Sequence, residues 1–528
     1  MCLGPSREVY MKKMLLTALM FIFSATLSYA VLEIPNAQPK MDSRYWNPVL
    51  DKTWDGLKKR NIEPYMNGIG SGLVHRPKSE YPGDAVSEAV GYGMLVALFA
   101  NDQETFNMIL EAGYKNLWSG CYLDWHLKLS GDMESGAATD AEEDVALALI
   151  FAAKLVEAGK WQPYSHSGMV DYATHAERIL ECMWSTDQIT SQGTLAPGAG
   201  WGGDDFVNPG YFSPAWYKVF AEFDKAHDWE KVVNRSYEII GNSPGYDYGL
   251  IPDWMTPEGG RTGSLGYNAY FDAKAFFKDA IRILWRVALD AIWFDDSRAK
   301  EFLQNSLNFI NSKGGASAAD FFQMDGSLLP ADDVWEDLNG GKITRHRREH
   351  SHLTIGMWMT AAAAVGTTED RASFSMEMAK FYDENADYFG LANDPSGAEE
   401  DTLHNEMYFD QFLAWFGVSL MTGVMNNVVE NIDNPKKDVA SDESDLLKQK
   451  EGIRVPQVAN TLTVQPLENG ALFTANQQVQ WSVFDLCGKK LYSTNGNAMR
   501  FISKSKGIYV IRARFSDGSV QIRKTNVN

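Results

Sequence analysis

From about residue 45 to 428 the chain repeats one two-part pattern, and that pattern leaves few folds open. One kind of segment is amphipathic and charged, as in "YWNPVLDKTWDGLKKR" from 45, "QETFNMILEAGYKNLW" from 103 and "DSRAKEFLQNSLNFI" from 296. The other is apolar on nearly every side and rich in Ala, Gly and aromatics, as in "SEAVGYGMLVALFA" from 87, "EEDVALALIFAAKLV" from 142 and "HLTIGMWMTAAAAVG" from 352. A striped helix faces water along one side, whereas a helix apolar all round must be enclosed by protein. Six segments of each kind in strict alternation predict six helical hairpins closed into a ring, with the apolar helices as the inner wall. The expected fold class is all-α, an (α/α)6 toroid, followed by a small all-β C-terminal domain.

In such a ring the inner helices all start at one mouth. Glu88 and Asp140 fall at inner-helix starts, and Asp279 is read as lying about a turn inside the helix formed by "AFFKDAIRILWRVALD", residues 275 to 290. Each acid has a plain structural reading. Glu88 suits a first turn, where it meets the positive end of the helix dipole. Asp140 with Glu143 fits an N-cap and its capping-box partner, and Asp279 fits an ion pair with Arg282 or Arg286. The alternative is chemical. A carboxyl kept protonated beside glycines, Tyr92 and Met94, facing an ionised carboxylate beside arginine, is the pair that glycosidic bond cleavage requires. A formal charge of -21 argues against a nucleic-acid partner, while 16 Trp and 22 Tyr suit stacking on a neutral, polyhydroxylated ligand.

The ends of the chain read differently. "MKKMLLTALMFIFSATLSYA", from Met11 to Ala30, has the charged start, apolar core and small-residue end of a secretory leader. Residues 1–30 are therefore expected to be a signal peptide with an N-terminal extension, and the mature chain to start near Val31 without an integral membrane segment. Three cysteines remain beyond it, Cys121, Cys182 and Cys487, with buried free thiols as the expectation and a Cys121–Cys182 bridge as the alternative. Residues 429–456 are polar and aperiodic, a linker. Residues 457–528 hold short strand-like runs such as "VQWSVFDL", "KKLYSTN", "MRFIS" and "GIYVIRARF" separated by turn residues.

Several blocks resemble glycoside hydrolase family 8, in order, over roughly residues 45 to 428. "SEAVGYGM" resembles the block around that family's general acid, with Ala89 where glycine is common, and "ATDAEEDVALAL" resembles its Ala-Thr-Asp-Ala-Asp signature, with Glu142 replacing the second Asp. "VNPGYFSPAWYKVFA" from 207, "IPDW" from 251 and "DAIRILWRVALDAIWF" from 279 also fit. The resemblance implies an inverting glycoside hydrolase with Glu88 as general acid, Asp279 as general base and Asp140 binding the sugar next to the cleaved bond. Tyr211 would help position the water, Arg282 would contact substrate, and Trp125, Trp201 and Trp254 would be stacking platforms. It implies no cofactor or metal, and a β-1,4-xylosidic substrate in xylan or xylo-oligosaccharides, attacked within the chain or from the reducing end. A β-1,4-glucan or chitosan substrate is the alternative within the family, and a non-catalytic surface glycan-binding protein is the alternative outside it. "GIYVIRARF" followed by "SVQIRKTNV" resembles the closing strands of type IX secretion sorting domains. That implies export to the surface or surroundings of a Gram-negative cell, with the type IX secretion machinery as a partner; a small β-sandwich that binds carbohydrate is the alternative, and the chain is expected to be a monomer.

Overall fold

The alternation of striped and apolar segments becomes twelve α-helices among the described residues of a computed structural model. It describes residues 41, 43–62, 72–76, 83–164, 171–260, 275–329, 334–336, 342–344, 350–384, 386–390, 408–429, 462–467, 470–484, 490–502, 507–515 and 520–527. The striped set is α1 (Ser43–Leu57), α3 (Gln103–Asn116), α5 (Tyr172–Ser185), α7 (Trp229–Gly241), α9 (Ser297–Lys313) and α11 (Thr368–Met378). Between them run α2 (Ser87–Phe99), α4 (Thr139–Glu157), α6 (Pro214–Phe223), α8 (Ile283–Phe294), α10 (His352–Val365) and α12 (Tyr408–Met421). Each member of the second set packs on the next, and α12 closes the circle by packing on α2 as well as on α1. The apolar sequences dictate this placement. Every residue of α12 is buried, and every residue of α2 is buried except Glu88.

Small residues let the inner helices touch. A Cβ built on Gly417 of α12 would lie 2.1 Å from the carbonyl oxygen of Gly356 in α10, so these helices meet backbone to backbone. Four helix starts on each wall differ in their caps, whereas the inner helix α10 is capped by Ser351 in a capping box with Thr354. The outer helices α3, α5, α7 and α9 begin at Asp102, Asp171, Asp228 and Asp296, whose side chains accept first-turn N–H groups. The inner helices α2, α4, α6 and α8 have no such side-chain cap. Their N-terminal N–H groups keep their partial positive charge toward one end of the ring.

At that end lies a small antiparallel sheet of β1 (His75–Arg76), β2 (Asp84–Val86), β3 (His126–Leu127) and β4 (Met133–Glu134). Strand β2 runs straight into α2, one residue before Glu88. The expected free thiols at Cys121 and Cys182 are corrected by the structure, which joins them in a disulfide with Cα atoms 5.5 Å apart. Cys182 sits on α5 and Cys121 on the loop after α3, and spacing along the chain gave no way to see that the hairpin folds one onto the other. Cys487, the leader and nearly all of the expected linker lie outside the described residues.

The chain divides into two compact units at residues 438 and 439. The second contains a five-stranded antiparallel sheet of β5 (Leu462–Leu467), β6 (Gly470–Phe484), β7 (Lys490–Ile502), β8 (Gly507–Phe515) and β9 (Val520–Val527). The central β6 pairs with β5, β7 and β8, and its Trp481, Phe473 and Val483 are buried with Ile511 of β8. "KKLYSTN" and "MRFIS", which read as separate strands, form the single β7 because both pair with β6 across a register shift between Thr474 and Val479. No helix among the described residues is long and apolar enough to cross a membrane.

Candidate active site

Three acids from three inner-helix starts meet at one arginine. Glu88 stands in the first turn of α2, and Asp140 in the first turn of α4. Asp279 lies earlier than the sequence suggested. It precedes a 3-10 turn, Ala280–Arg282, and α8 begins only at Ile283. The cause is Asp253 of "IPDW", a buried side chain whose Oδ1 accepts the backbone N–H groups of Phe277 at 3.0 Å and Ala280 at 2.9 Å. That remote cap holds the segment open ahead of the helix and leaves the Asp279 side chain about one-third exposed.

Arg282 gathers the acids. Its Nη1 donates to Glu88 Oε1 and, at 2.8 Å, to Asp140 Oδ2, while Nη2 donates to Asp279 Oδ1 at 3.1 Å. Its Nε returns to the Asp279 carbonyl at 3.0 Å. Two rings lie against the guanidinium, the centre of Tyr211 at 4.7 Å and that of Phe409 at 5.8 Å. Burial works against its charge, but Glu88 and its other neighbours outweigh burial and hold its pKa above the usual arginine value. One cation cannot neutralise three anions. Burial first, and the charge of Glu88 second, push the Asp140 carboxyl well above the ordinary carboxylate range. The capping-box reading of Asp140 and Glu143 is corrected here: Ala138 occupies the cap position, and both acids turn inward to other partners.

Glu88 is tied further from two directions. Tyr92, one helical turn along α2, donates to Oε1 at 3.0 Å, and Tyr408 at the start of α12 donates to Oε2. Burial, and then the charge of Glu88, raise both phenols above their usual range, so both remain donors. Asp279 Oδ2 accepts from the indole of Trp254 at 3.0 Å. Beneath this layer Arg286 pairs with Asp144 through both nitrogens at 2.9 Å and with Glu143 at 2.9 Å, all fully buried. Tyr217 and Ser213 complete Glu143 at 2.8 Å each. Of the two ion pairs open to Asp279, only Arg282 is used, because Arg286 is committed to α4.

A cleft of about 280 Å³ opens over these groups, lined among others by Glu88, Asp140, Tyr211, Lys278, Asp279 and Arg282. Trp125 lines it too and is 38% exposed. Trp201 is 45% exposed and meets Trp254 edge-on at 5.5 Å. Trp254 is 5% exposed, which corrects its reading as a platform: it has no open face and instead orients Asp279. Arg282 likewise spends four N–H groups on the protein, so its first work is to place the acids. Tyr211 reaches the site on the turn Pro209–Tyr211, where Gly210 lies so near the Asp279 carbonyl that a Cβ would sit 1.9 Å away. Sequence reasoning missed Tyr408, Phe409, Arg76, Lys278 and Asp253 as parts of the site. Only Asp253 had a signal, as the acid within a quoted block. The stretch "HRREHSHL" from 346, whose charge and position would suit a loop closing one end of the cleft, has residues 346–349 outside the described residues. Among the described residues no cluster of three His, Cys, Asp or Glu could hold a metal ion.

A helical toroid with carboxyls gathered in a cleft at the inner-helix starts supplies the kind of groups that glycosidic bond cleavage uses. Residues 43–320 match the model for glycosyl hydrolases family 8, and the chain belongs to that family. It is 35% identical over 292 residues to Endoglucanase 2 of Ruminiclostridium josui, covering 54% of this chain and 59% of that protein. It is 26% identical over 235 residues to the reducing end xylose-releasing exo-oligoxylanase of Halalkalibacterium halodurans, covering 40% of this chain and 56% of that one. The match thus spans little more than half the length of either relative. In fold the chain is similar to the solved structure of Rex8A from Paenibacillus barcinonensis complexed with xylose, with a TM-score of 0.57 and 19% identity over 73% of this chain and 94% of that chain.

Proposed function

We propose that the protein hydrolyses β-1,4-glycosidic bonds of a polysaccharide backbone with inversion, Glu88 acting as general acid and Asp279 as general base. The observation that carries this reading is the division of labour around Arg282. Glu88 hangs from one guanidinium nitrogen amid phenol donors, and Asp279 hangs from the other with an exposed edge. Glu88 gives its proton to the departing sugar oxygen. Asp279, whose Oδ1 and Oδ2 are oriented by Arg282 and Trp254, takes a proton from water attacking the opposite face of the sugar. An inverting pair leaves roughly 6.5–9.5 Å between carboxyls for that water. Asp140, held beside Glu88 on the same nitrogen, binds the sugar next to the cleaved bond, and Tyr211 lies where it can orient the water.

Xylan or xylo-oligosaccharide is our first substrate reading, carried by the block resemblance and by the likeness to the exo-oligoxylanases. A β-1,4-glucan is the second, favoured by the higher identity to Endoglucanase 2. Hydrolysis of xylohexaose and cellohexaose, followed by NMR of the newly formed anomeric centre, tests both substrate and stereochemistry. Inverted xylo-oligomers from wild type, with Glu88→Gln and Asp279→Asn each at least about 1,000-fold slower, are expected. Retained configuration would remove Asp279 from the base role, and cleavage of cellohexaose alone would replace the substrate. We further propose export through the leader and a sorting role for residues 457–528, resting on the sequence resemblance. The mass and N-terminal sequence of secreted protein test it; a culture retaining all of the enzyme in the cytoplasm would end that reading.

A further inference from the structure

One cation in the cleft wall is held as firmly as the acids yet serves none of them by a direct bond. Arg76, on β1, lines the cleft together with Glu88 and Tyr408. Its Nε donates to Asp84 Oδ1 at 2.8 Å and its Nη2 donates to Asp84 Oδ2. Asp84, on β2, is fully buried, and its Oδ2 also accepts from His126 Nε2 at 2.8 Å on β3. His126 Nδ1 faces Glu134 Oε2 on β4 at 2.8 Å, and Glu134 in turn takes Lys128 Nζ at 2.6 Å. A polar chain therefore crosses all four strands of the mouth sheet and ends on one guanidinium. Such support fixes the plane of the fork and lowers the entropy lost when it binds something else.

Among the described residues the remaining edge of that fork is unspent. Arg76 Nη1 has no hydrogen-bond partner among the described residues, whereas Arg282 is engaged by three acids. Asp84, its partner, stands four residues before Glu88 on the strand that leads into α2, and Arg76, Glu88 and Tyr408 line the same cleft, so Arg76 lies on the acid's side. A neutral sugar offers hydroxyl oxygens there, and a guanidinium edge with two parallel N–H donors matches a pair of them.

We propose that Arg76 is a substrate-binding residue that holds the leaving-group sugar next to Glu88, with Asp84 and His126 as its positioning residues. The assignment rests on the glycosidase reading with Glu88 as acid. It states that the sugar carrying the departing oxygen is gripped by the mouth sheet, while the inner helices hold the sugar that is attacked.

The test compares two substrates sharing the attacked sugar. One is the oligosaccharide, xylo- or cello-, that wild type cleaves; the other is the matching glycosyl fluoride, whose leaving group is no sugar. Arg76→Gln is expected to lower kcat/KM on the oligosaccharide by roughly 10- to 100-fold, as for one lost hydrogen-bonded charge, and to leave the fluoride within about threefold. Arg76→Lys, which keeps the charge without the fork, should fall between wild type and Arg76→Gln on the oligosaccharide. Asp84→Asn, acting through Arg76, should show the same split to a smaller degree. An equal loss on both substrates in a folded Arg76→Gln would overturn the assignment, since a structural fault strikes both. So would no loss on either. If wild type cleaves neither substrate class, the glycosidase reading itself fails, and that outcome is distinct from failure at Arg76.

Discussion

Glu142→Gln isolates one buried carboxyl whose cost can be worked out from its surroundings. Glu142 lies in the first turn of α4, its Oε1 accepting the Leu123 N–H at 2.9 Å and its Oε2 buried with no partner among the described residues. Burial pushes its pKa from the ordinary 4.5 up to about 8, the Leu123 hydrogen bond opposing that shift only in part. The folded value exceeds the unfolded one. The stability tied to this proton is therefore complete below about pH 4.5 and is lost as pH rises through about 8. At about 1.36 kcal/mol per pH unit, the full interval amounts to roughly 5 kcal/mol. Glutamine keeps the acceptor for Leu123 and never ionises, so the variant should be near wild type in stability at pH 5 and gain on it steadily toward pH 8. Denaturant unfolding of both proteins at intervals across that range measures the difference. Glu143, also pushed to about 8 by burial against the pull of Arg286, titrates in both proteins and cancels from the comparison. A gap between the two curves that stayed constant from pH 5 to 8 would refute the reasoning and give Glu142 an ordinary carboxyl.

Two further outcomes follow from the same packing. Arg282→Lys keeps a cation but loses the fork, so Glu88, Asp140 and Asp279 cannot be held together; kcat should fall by about 100-fold or more, with roughly 3 kcal/mol of stability lost, and an unchanged kcat would show that the acids need no common anchor. Cys182→Ser, or reduction, opens a link between residues 61 apart in sequence and should cost about 4 kcal/mol in denaturant unfolding; a midpoint unmoved by reductant would show that the bond contributes nothing to the folded state.

The toroid was legible because burial on all sides writes itself into a helix. Segments such as "HLTIGMWMTAAAAVG" admit no surface position, and α10 has none on its buried stretch from His352 to Ala363. Glu88 was legible for the same reason, as the lone acid in an apolar run. Asp279 was found, but its placement was wrong by a turn, since the apolar pattern continues unbroken through residues that a distant carboxylate, Asp253, holds out of the helix. Tyr408 and Arg76 left no trace. A tyrosine before an apolar helix and an arginine in a two-residue strand are ordinary, and only closure of the ring and of the mouth sheet gives them partners. The disulfide stood only as the alternative to free thiols on similar grounds: a bond between α5 and a loop is a fact about distance in space.

The ring's seam has a consequence in time. The phenol that steadies Glu88 Oε2 arrives 320 residues later along the chain, on the helix that also closes the circle against α1 and α2. While a ribosome is still making the protein, the first inner helix has an open flank and its acid has no Tyr408. Closing the barrel and arming the acid are thus one event, and a chain released before α12 would carry every proposed catalytic carboxylate and still have no finished cleft.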